Sequence, residues 1–165
     1  MPLSDFTTPR LKVSHWDALL ADPIARGALL RYLSRILSND VTRELPPSFA
    51  LIGDVADWVA ARQSESDVYV INVDDQLVGL LILFDDEPNT AIHLGYLFAQ
   101  STWGQGYATE LLHGLVAAAK PPVTLLAGVA TTNPASAHVL RKAGFTLETK
   151  QKEQGMLSFS RKVEA

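Results

Sequence analysis

A mixed α/β fold, with a mostly antiparallel twisted sheet flanked by helices, is the class this sequence predicts, and three observations point to it. Segments 68–73, 77–84 and 90–98 are rich in Val, Ile, Leu and aromatic residues and are separated by polar turns. The stretch 107–119 carries Ala108, Leu111, Leu112, Leu115, Val116 and Ala119 on one helical stripe. An apolar run at 123–130 comes directly after it, so a strand–helix–strand crossover is joined to a meander and the sheet holds both antiparallel and parallel neighbours.

From the N-terminus, 8–13 reads as a short strand, and 22–38 places Ile24, Leu29, Leu33, Ile36 and Leu37 at helical spacing. Pro46 and Pro47 interrupt the chain after this helix. A second helix is expected over 54–62, where Val55, Trp58 and Val59 share a side and Asp54 can cap the start. Asp74, Asp75 and Gln76, and the segment 85–89, have the turn chemistry that joins the three strands in sequence. Pro121 and Pro122 stop the 107–119 helix. A short helix at 134–143 and a hairpin of 145–150 with 156–163 close the chain.

With 165 residues, 47% of them hydrophobic, the chain can bury one sizeable core, and a single domain over 1–165 is expected. Its longest apolar runs fall far short of the roughly 20 residues that cross a bilayer, and no signal-like segment opens the chain. The expectation is a soluble, cytoplasmic protein without a membrane partner. Zero cysteines exclude disulfides, thiolate metal sites and a cysteine acyl intermediate. A net charge of −4 argues against nucleic acid as a partner. His15, His93, His113 and His138 show no metal-ligand spacing, so no metal is expected, and His113 and His138 read as solvent-facing. Trp16, Trp58 and Tyr32 read as core or groove walls.

Gly104 and Gly106 lie between a strand and a strong helix, where the first N–H groups of that helix emerge without intrahelical partners. A diphosphate can approach such a backbone closely, and the helix dipole favours its charge. An ordinary glycine-rich turn would look the same, and neither a Walker loop nor a dinucleotide fingerprint is completed. The second element is Asn133-Pro134-Ala135-Ser136, which opens a helix ending at Lys142-Ala143-Gly144-Phe145. Asn133 is a good N-cap, Pro134 suits the first turn, and Gly144 can take the left-handed conformation beyond the last.

Taken together, Leu94-Gly95-Tyr96-Leu97-Phe98, Trp103-Gly104-Gln105-Gly106-Tyr107-Ala108-Thr109-Glu110, Asn133 to Ser136 and Lys142 to Phe145 resemble the GNAT acetyltransferase superfamily. The likeness is closest to the branch that acetylates ribosomal-protein N-termini. It tracks element order over 8–150, is specific from His93 onward, and is weaker at Thr8-Pro9-Arg10-Leu11. The resemblance implies the GNAT acyltransferase fold, acetyl-CoA as co-substrate and transfer of its acetyl group to a primary amine. It carries the diphosphate contacts onto Gly104, Gln105, Gly106, Tyr107, Ala108 and Thr109, with Trp103 where the family has Arg or Gln. It also implies pantetheine contacts from the backbone of Tyr96, Leu97 and Phe98, with Asn133 and Ser136 near the thiol end.

Direct attack by an amine on a thioester needs a base, an oxyanion donor and an acid. Backbone N–H near Leu97 or Phe98 can serve the oxyanion. Ser136 is the candidate for hydrogen bonding to, or protonating, the departing sulfur, against a reading as a first-turn serine that satisfies backbone donors. The family's usual tyrosine acid falls at Leu140 here and is missing. His93 stands where relatives often carry Glu and is the candidate base, against a partly exposed structural histidine. Strand alternation groups it with Ala91, Gly95 and Leu97. Loss of both usual groups leaves a second reading open, a non-catalytic acyl-CoA-binding regulatory protein. The acceptor, a peptide N-terminus or a small amine, has no recognisable code in the sequence. A homodimer is the expectation for a small enzyme.

Overall fold

The structure is a computed structural model that describes residues 3–43, 45, 49–86, 90–148 and 155–164. Alternation and turn chemistry build its sheet. Strand β1 (Phe6–Thr7) turns back onto β2 (Lys12–His15) through a loop closed by the Thr8 N–H on the Leu11 carbonyl at 2.8 Å, so the expected 8–13 strand begins only at Lys12. Next come β3 (Asp67–Val73), β4 (Gln76–Asp86) and β5 (Ala91–Phe98), an antiparallel meander as the pattern predicts. Asp74 and Asp75 both have positive φ, 49° and 63°, which matches the right-handed twist of the hairpin they close. Asp85 and Asp86 extend β4 instead of turning, and the rest of the expected 85–89 turn lies outside the described residues, as do Pro46 and Pro47.

The helices begin where side chains can accept their first N–H groups. Asp22 caps α2 (Pro23–Ile36) on the Ile24 N–H at 3.1 Å, and Asp54 caps α4 (Val55–Glu65) on Ala56 at 2.9 Å. Short helices α1 (Asp17–Ala21) and α3 (Asn39–Thr42) flank α2. Leu29 and Leu33 of α2 are buried, whereas Ile24 in its first turn is exposed. The C-terminal half adds α5 (Tyr107–Ala118), β6 (Val123–Ala130), α6 (Pro134–Lys142), β7 (Thr146–Leu147) and β8 (Met156–Val163). The closing hairpin pairs as expected, with β7 shorter than the 145–150 segment and residues 149–154 outside the described set.

Among the described residues eight strands take the order β1-β2-β3-β4-β5-β6-β8-β7, and only β5 and β6 run parallel. Both faces are covered. Tyr69, Ile71, Leu81 and Leu83 meet Leu111, Leu112 and Leu115 of α5 and Leu140 of α6, while Val68, Val70, Leu80 and Ile82 meet Trp16, Leu33 and Trp58. Burial on both sides explains why β4 reads as an unbroken apolar run. A register shift at Ile71/Asn72 exchanges the faces, so Leu77 packs with the second cluster and Val78 with the first.

The parallel pair is where the sheet makes a site. The β5–β6 register runs from Ala91↔Thr124 to Leu94↔Ala127 and goes no further among the described residues. Beyond it, Gly95 to Phe98 stay with β4 and Gly128 to Ala130 stay with β8. The sheet splits into two halves, and a wedge opens between the ends of β5 and β6.

Candidate active site

A cavity of about 720 Å³ fills that wedge. Its walls are Leu94 to Phe98 of β5, Ala127 to Val129 of β6, the 102–109 loop and first turn of α5, and the first turns of α6, with α3 at one end. The sequence-predicted residues Tyr96, Leu97, Phe98, Gly104, Gln105, Gly106, Tyr107, Ala108, Thr109, Asn133 and Ser136 all border it. His93 does not. It is exposed on β5, one residue before the lining begins, in register with Phe84 on one side and Leu126 on the other.

The start of α5 is shaped by backbone conformation. Gly104 and Gly106 both have φ near 81°, and Gly106 is the N-cap, with no side chain hydrogen-bonded to the first turn. A left-handed residue at this point costs little only for glycine. The N–H groups of Tyr107, Ala108 and Thr109 therefore emerge into the cavity at the positive end of a 12-residue helix. Such donors fit a diphosphate. Trp103, half exposed, holds the approach to this loop by donating its indole N–H to the Phe98 carbonyl at 2.9 Å.

Sequence reasoning missed the group that braces this loop. Arg10, expected within a strand, sits in the β1–β2 turn and reaches across to α5. Its Nε donates to Glu110 Oε1 at 2.7 Å, its main-chain N–H to Glu110 Oε2 at 2.7 Å and its Nη1 to the Gln105 carbonyl at 2.9 Å. The guanidinium also lies over the Tyr107 ring, 4.6 Å from its centroid, and Thr8 donates its hydroxyl to the same carboxylate. Burial alone pushes the Glu110 carboxyl up, but the hydrogen bonds from Thr8 and Arg10 and the charge of Arg10 outweigh it and hold Glu110 below the ordinary range. The similarity of Thr8-Pro9-Arg10-Leu11 to the ribosomal branch was the one signal in the sequence.

The start of α6 is built differently. Asn133 Oδ1 accepts the Ser136 N–H at 3.2 Å, Pro134 occupies the first turn, and the far end closes with Gly144 N–H on the Arg141 carbonyl and Phe145 N–H on the Leu140 carbonyl, each 3.0 Å. Both expected structural roles, for Asn133 and Gly144, are present. Ser136 faces the cavity, where its Oγ lies 3.1 Å from the hydroxyl of Tyr96. Leu140, at the place of the family's tyrosine, is only 1% exposed and belongs to the core. His113 is exposed as expected, while His138 is exposed and also borders the cavity. Trp16 and Trp58 are core residues. At the α3 end, Asp40 and Arg43 form an ion pair beside the opening.

No helix among the described residues is long and apolar enough to cross a membrane, and no cluster of three or more His, Asp or Glu among them is placed to hold a metal.

The model of the acetyltransferase (GNAT) domain family matches residues 12–146. No curated protein sequence matches the chain. Among solved structures, a RimL ribosomal L7/L12 α-N-protein acetyltransferase in complex with coenzyme A superposes with a TM-score of 0.71 at 18% identity, covering 99% of each chain. An acetyltransferase from Salmonella typhimurium that modifies the N-terminal serine of ribosomal protein L7/L12 gives 0.70 at 18% identity over 95% of this chain and 97% of its own. The spermidine N-acetyltransferase of Vibrio cholerae, with CoA and spermine, gives 0.72 at 15% identity over 93% of this chain and 96% of its own. These likenesses are in fold; the split sheet, the glycine-capped α5 and the family match over most of the chain agree in one conclusion. The chain belongs to the GNAT family of acetyl-CoA-dependent N-acetyltransferases.

Proposed function

We propose that this protein acetylates a primary amine, with a protein or peptide N-terminus as the first acceptor to test, by direct attack on acetyl-CoA bound in the β5–β6 wedge. The observation that carries the reading is that the split sheet and the glycine-capped start of α5 open into one cavity. Gly104 to Thr109 would hold the diphosphate, and the edges of Tyr96, Leu97 and Phe98 the pantetheine arm. Asn133 and Ser136 would meet the thioester. The co-substrate supplies an activated acetyl group, and the chain's own residues orient it, exclude water and handle protons. His93 is the proposed base, acting on an amine that enters from the α3 side or through an intervening water. Ser136 would donate to the departing sulfur.

The protein α-amine is favoured by the sequence likeness to the ribosomal branch and by the L7/L12 enzymes among the structural neighbours, while the spermidine enzyme keeps small polyamines in the test. We further infer one catalytic domain, a cytoplasmic site of action and a homodimer. The test is release of free CoA from acetyl-CoA across serine-initiated peptides, polyamines and free amino acids. Thiol release with at least one peptide, and none without an amine, is the expected outcome. Tight CoA binding without release from any amine would instead identify a binding protein.

A further inference from the structure

The missing tyrosine on α6 leaves the departing thiolate without an obvious proton source, and the cavity wall opposite offers another. Tyr96 comes from β5, not α6, yet its hydroxyl reaches the Ser136 hydroxyl at 3.1 Å, inside the cavity. The ring is held among apolar neighbours of the first core cluster, with Phe98 6.2 Å away centroid to centroid. We propose that Tyr96 and Ser136 act as one proton-delivery pair, in which Ser136 touches the sulfur and Tyr96 positions and recharges it.

Chemistry favours the pair over either hydroxyl alone. A thiol has a pKa near 8.5 and a phenol near 10, so a phenol can pass a proton to a thiolate with little cost, whereas an aliphatic hydroxyl is a far weaker acid. A serine that gave up its proton unaided would be left as an alkoxide in a poorly solvated wall. With Tyr96 behind it, Ser136 loses one proton and gains another in the same event. The amine lone pair forms the C–N bond and the carbonyl electrons move to oxygen; on collapse the C–S bond breaks and its electron pair goes to sulfur. Sulfur takes the Ser136 proton, Oγ takes the Tyr96 proton, and the phenolate regains one from solvent. The amine loses one proton to its base and thence to solvent, so turnover is proton-neutral.

The surroundings keep Tyr96 loaded. Burial raises its pKa above the ordinary phenol value, while the hydrogen bond to Ser136 opposes the rise. The phenol therefore stays neutral through the physiological range, and because burial makes it a weaker acid, its proton moves only as Ser136 gives up its own to the sulfur. Among the described residues, the other titratable groups on the cavity wall are Tyr107 on α5, His138 on α6, and the mutually paired Asp40 of α3 and Arg43 at its C-terminal end.

This inference rests on the acetyltransferase reading, and the experiment separates their failures. The turnover of Tyr96→Phe, Ser136→Ala and the double variant is measured with the best acceptor, alongside CoA affinity by calorimetry and melting temperature. Each single variant is expected to lose about 10² in kcat with KM, CoA affinity and melting temperature little changed, and the double variant to lose no more than either. In the free protein, carbon-13 NMR of the tyrosine ring should show Tyr96 titrating above the ordinary phenol range, and higher still in Ser136→Ala, where the bond that favours the phenolate is gone. Full kcat in Tyr96→Phe, independent additive losses, or an unmoved Tyr96 titration in Ser136→Ala would each overturn the pair. An inactive wild type with every amine would overturn the acetyltransferase reading instead. Should Tyr96→Phe fail to fold, the NMR comparison and the Ser136→Ala kinetics still decide.

Discussion

Two helices start at the rim of the same cavity and start in opposite ways. The first turn of α5 comes after a left-handed glycine and receives no side-chain cap, so its donors are left for a ligand. The first turn of α6 comes after Asn133, whose carbonyl oxygen takes the Ser136 N–H, and Pro134 brings no N–H of its own. The first end keeps backbone donors that suit an anion; the second is satisfied internally and presents side chains. That division matches a long co-substrate whose charge is at one end and whose reactive sulfur is at the other. The contrast also locates the role of Arg10, which braces the uncapped end from outside without closing it.

The largest effect should come from spoiling the uncapped end. Gly106→Val puts a β-branched residue at φ near 81°, with a new Cβ 3.4 Å from Arg10 Nη2. Such strain is worth on the order of 1–3 kcal/mol and displaces the donors it serves. CoA affinity by calorimetry should fall by more than about 10², while far-ultraviolet circular dichroism stays native. Normal CoA binding by a folded variant would place the diphosphate elsewhere.

Next comes a residue that neither helix holds. If His93 is the base, His93→Ala should lose about 10² in turnover with CoA affinity unchanged. The exposed setting of His93 outside the cavity lining makes a water-mediated transfer the expected route. Undiminished turnover in a folded variant would remove His93 from the reaction and leave the base to be sought on the α3 side.

A smaller effect belongs to the brace. Arg10→Ala should weaken CoA binding by roughly tenfold, because the Gln105 carbonyl and Glu110 lose their common donor. Glu110 sits below its unfolded pKa, so its stabilisation is fully present above about pH 5 and is lost as pH falls through the lowered folded value. Arg10 is half exposed, which limits the contribution to roughly 1 kcal/mol. In Glu110→Gln, the difference in urea midpoint between pH 7 and pH 3 should shrink; an unchanged difference would mean that the pair is inert.

How much of this was legible depended on how local the physics was. The meander, α5, β6 and both helix starts arise from alternation, helical spacing and cap chemistry within a few residues. Their neighbours alone placed Gly104 and Gly106 ahead of α5, whereas the left-handed conformation of both emerged only in the structure. By contrast, Arg10 with Glu110 and Tyr96 with Ser136 join residues far apart in the chain, and nothing in either segment announces the other. The end proposed for the acceptor is the least legible for the same reason: Asp40, Arg43 and His138 reach one opening from two separate helical regions. Thr8 to Leu11 has the pattern of a strand yet forms a turn, because that turn is closed by a single backbone bond and by the reach of Thr8 and Arg10 to Glu110.

The smallest expected effect is the sharpest test of the contrast between the two helix starts. Asn133 spends its carbonyl oxygen on the Ser136 N–H, which leaves its amide nitrogen as the part that can face a ligand in the cavity it borders. Aspartate keeps an oxygen in the capping position and removes that donor. Asn133→Asp should therefore melt within about a degree of the parent, and its affinity for CoA should drop several-fold. Asn133→Ala removes both functions and should lose about 1 kcal/mol of stability as well. If Asn133→Asp binds CoA as the parent does, while Asn133→Ala only loses stability, then Asn133 is a cap and nothing more. In that case the thiol end of the co-substrate would be held by Ser136 and the β5 backbone without it. The start of α6 would then present a single functional side chain, and the division between a backbone-binding end and a side-chain end would rest on Ser136 alone.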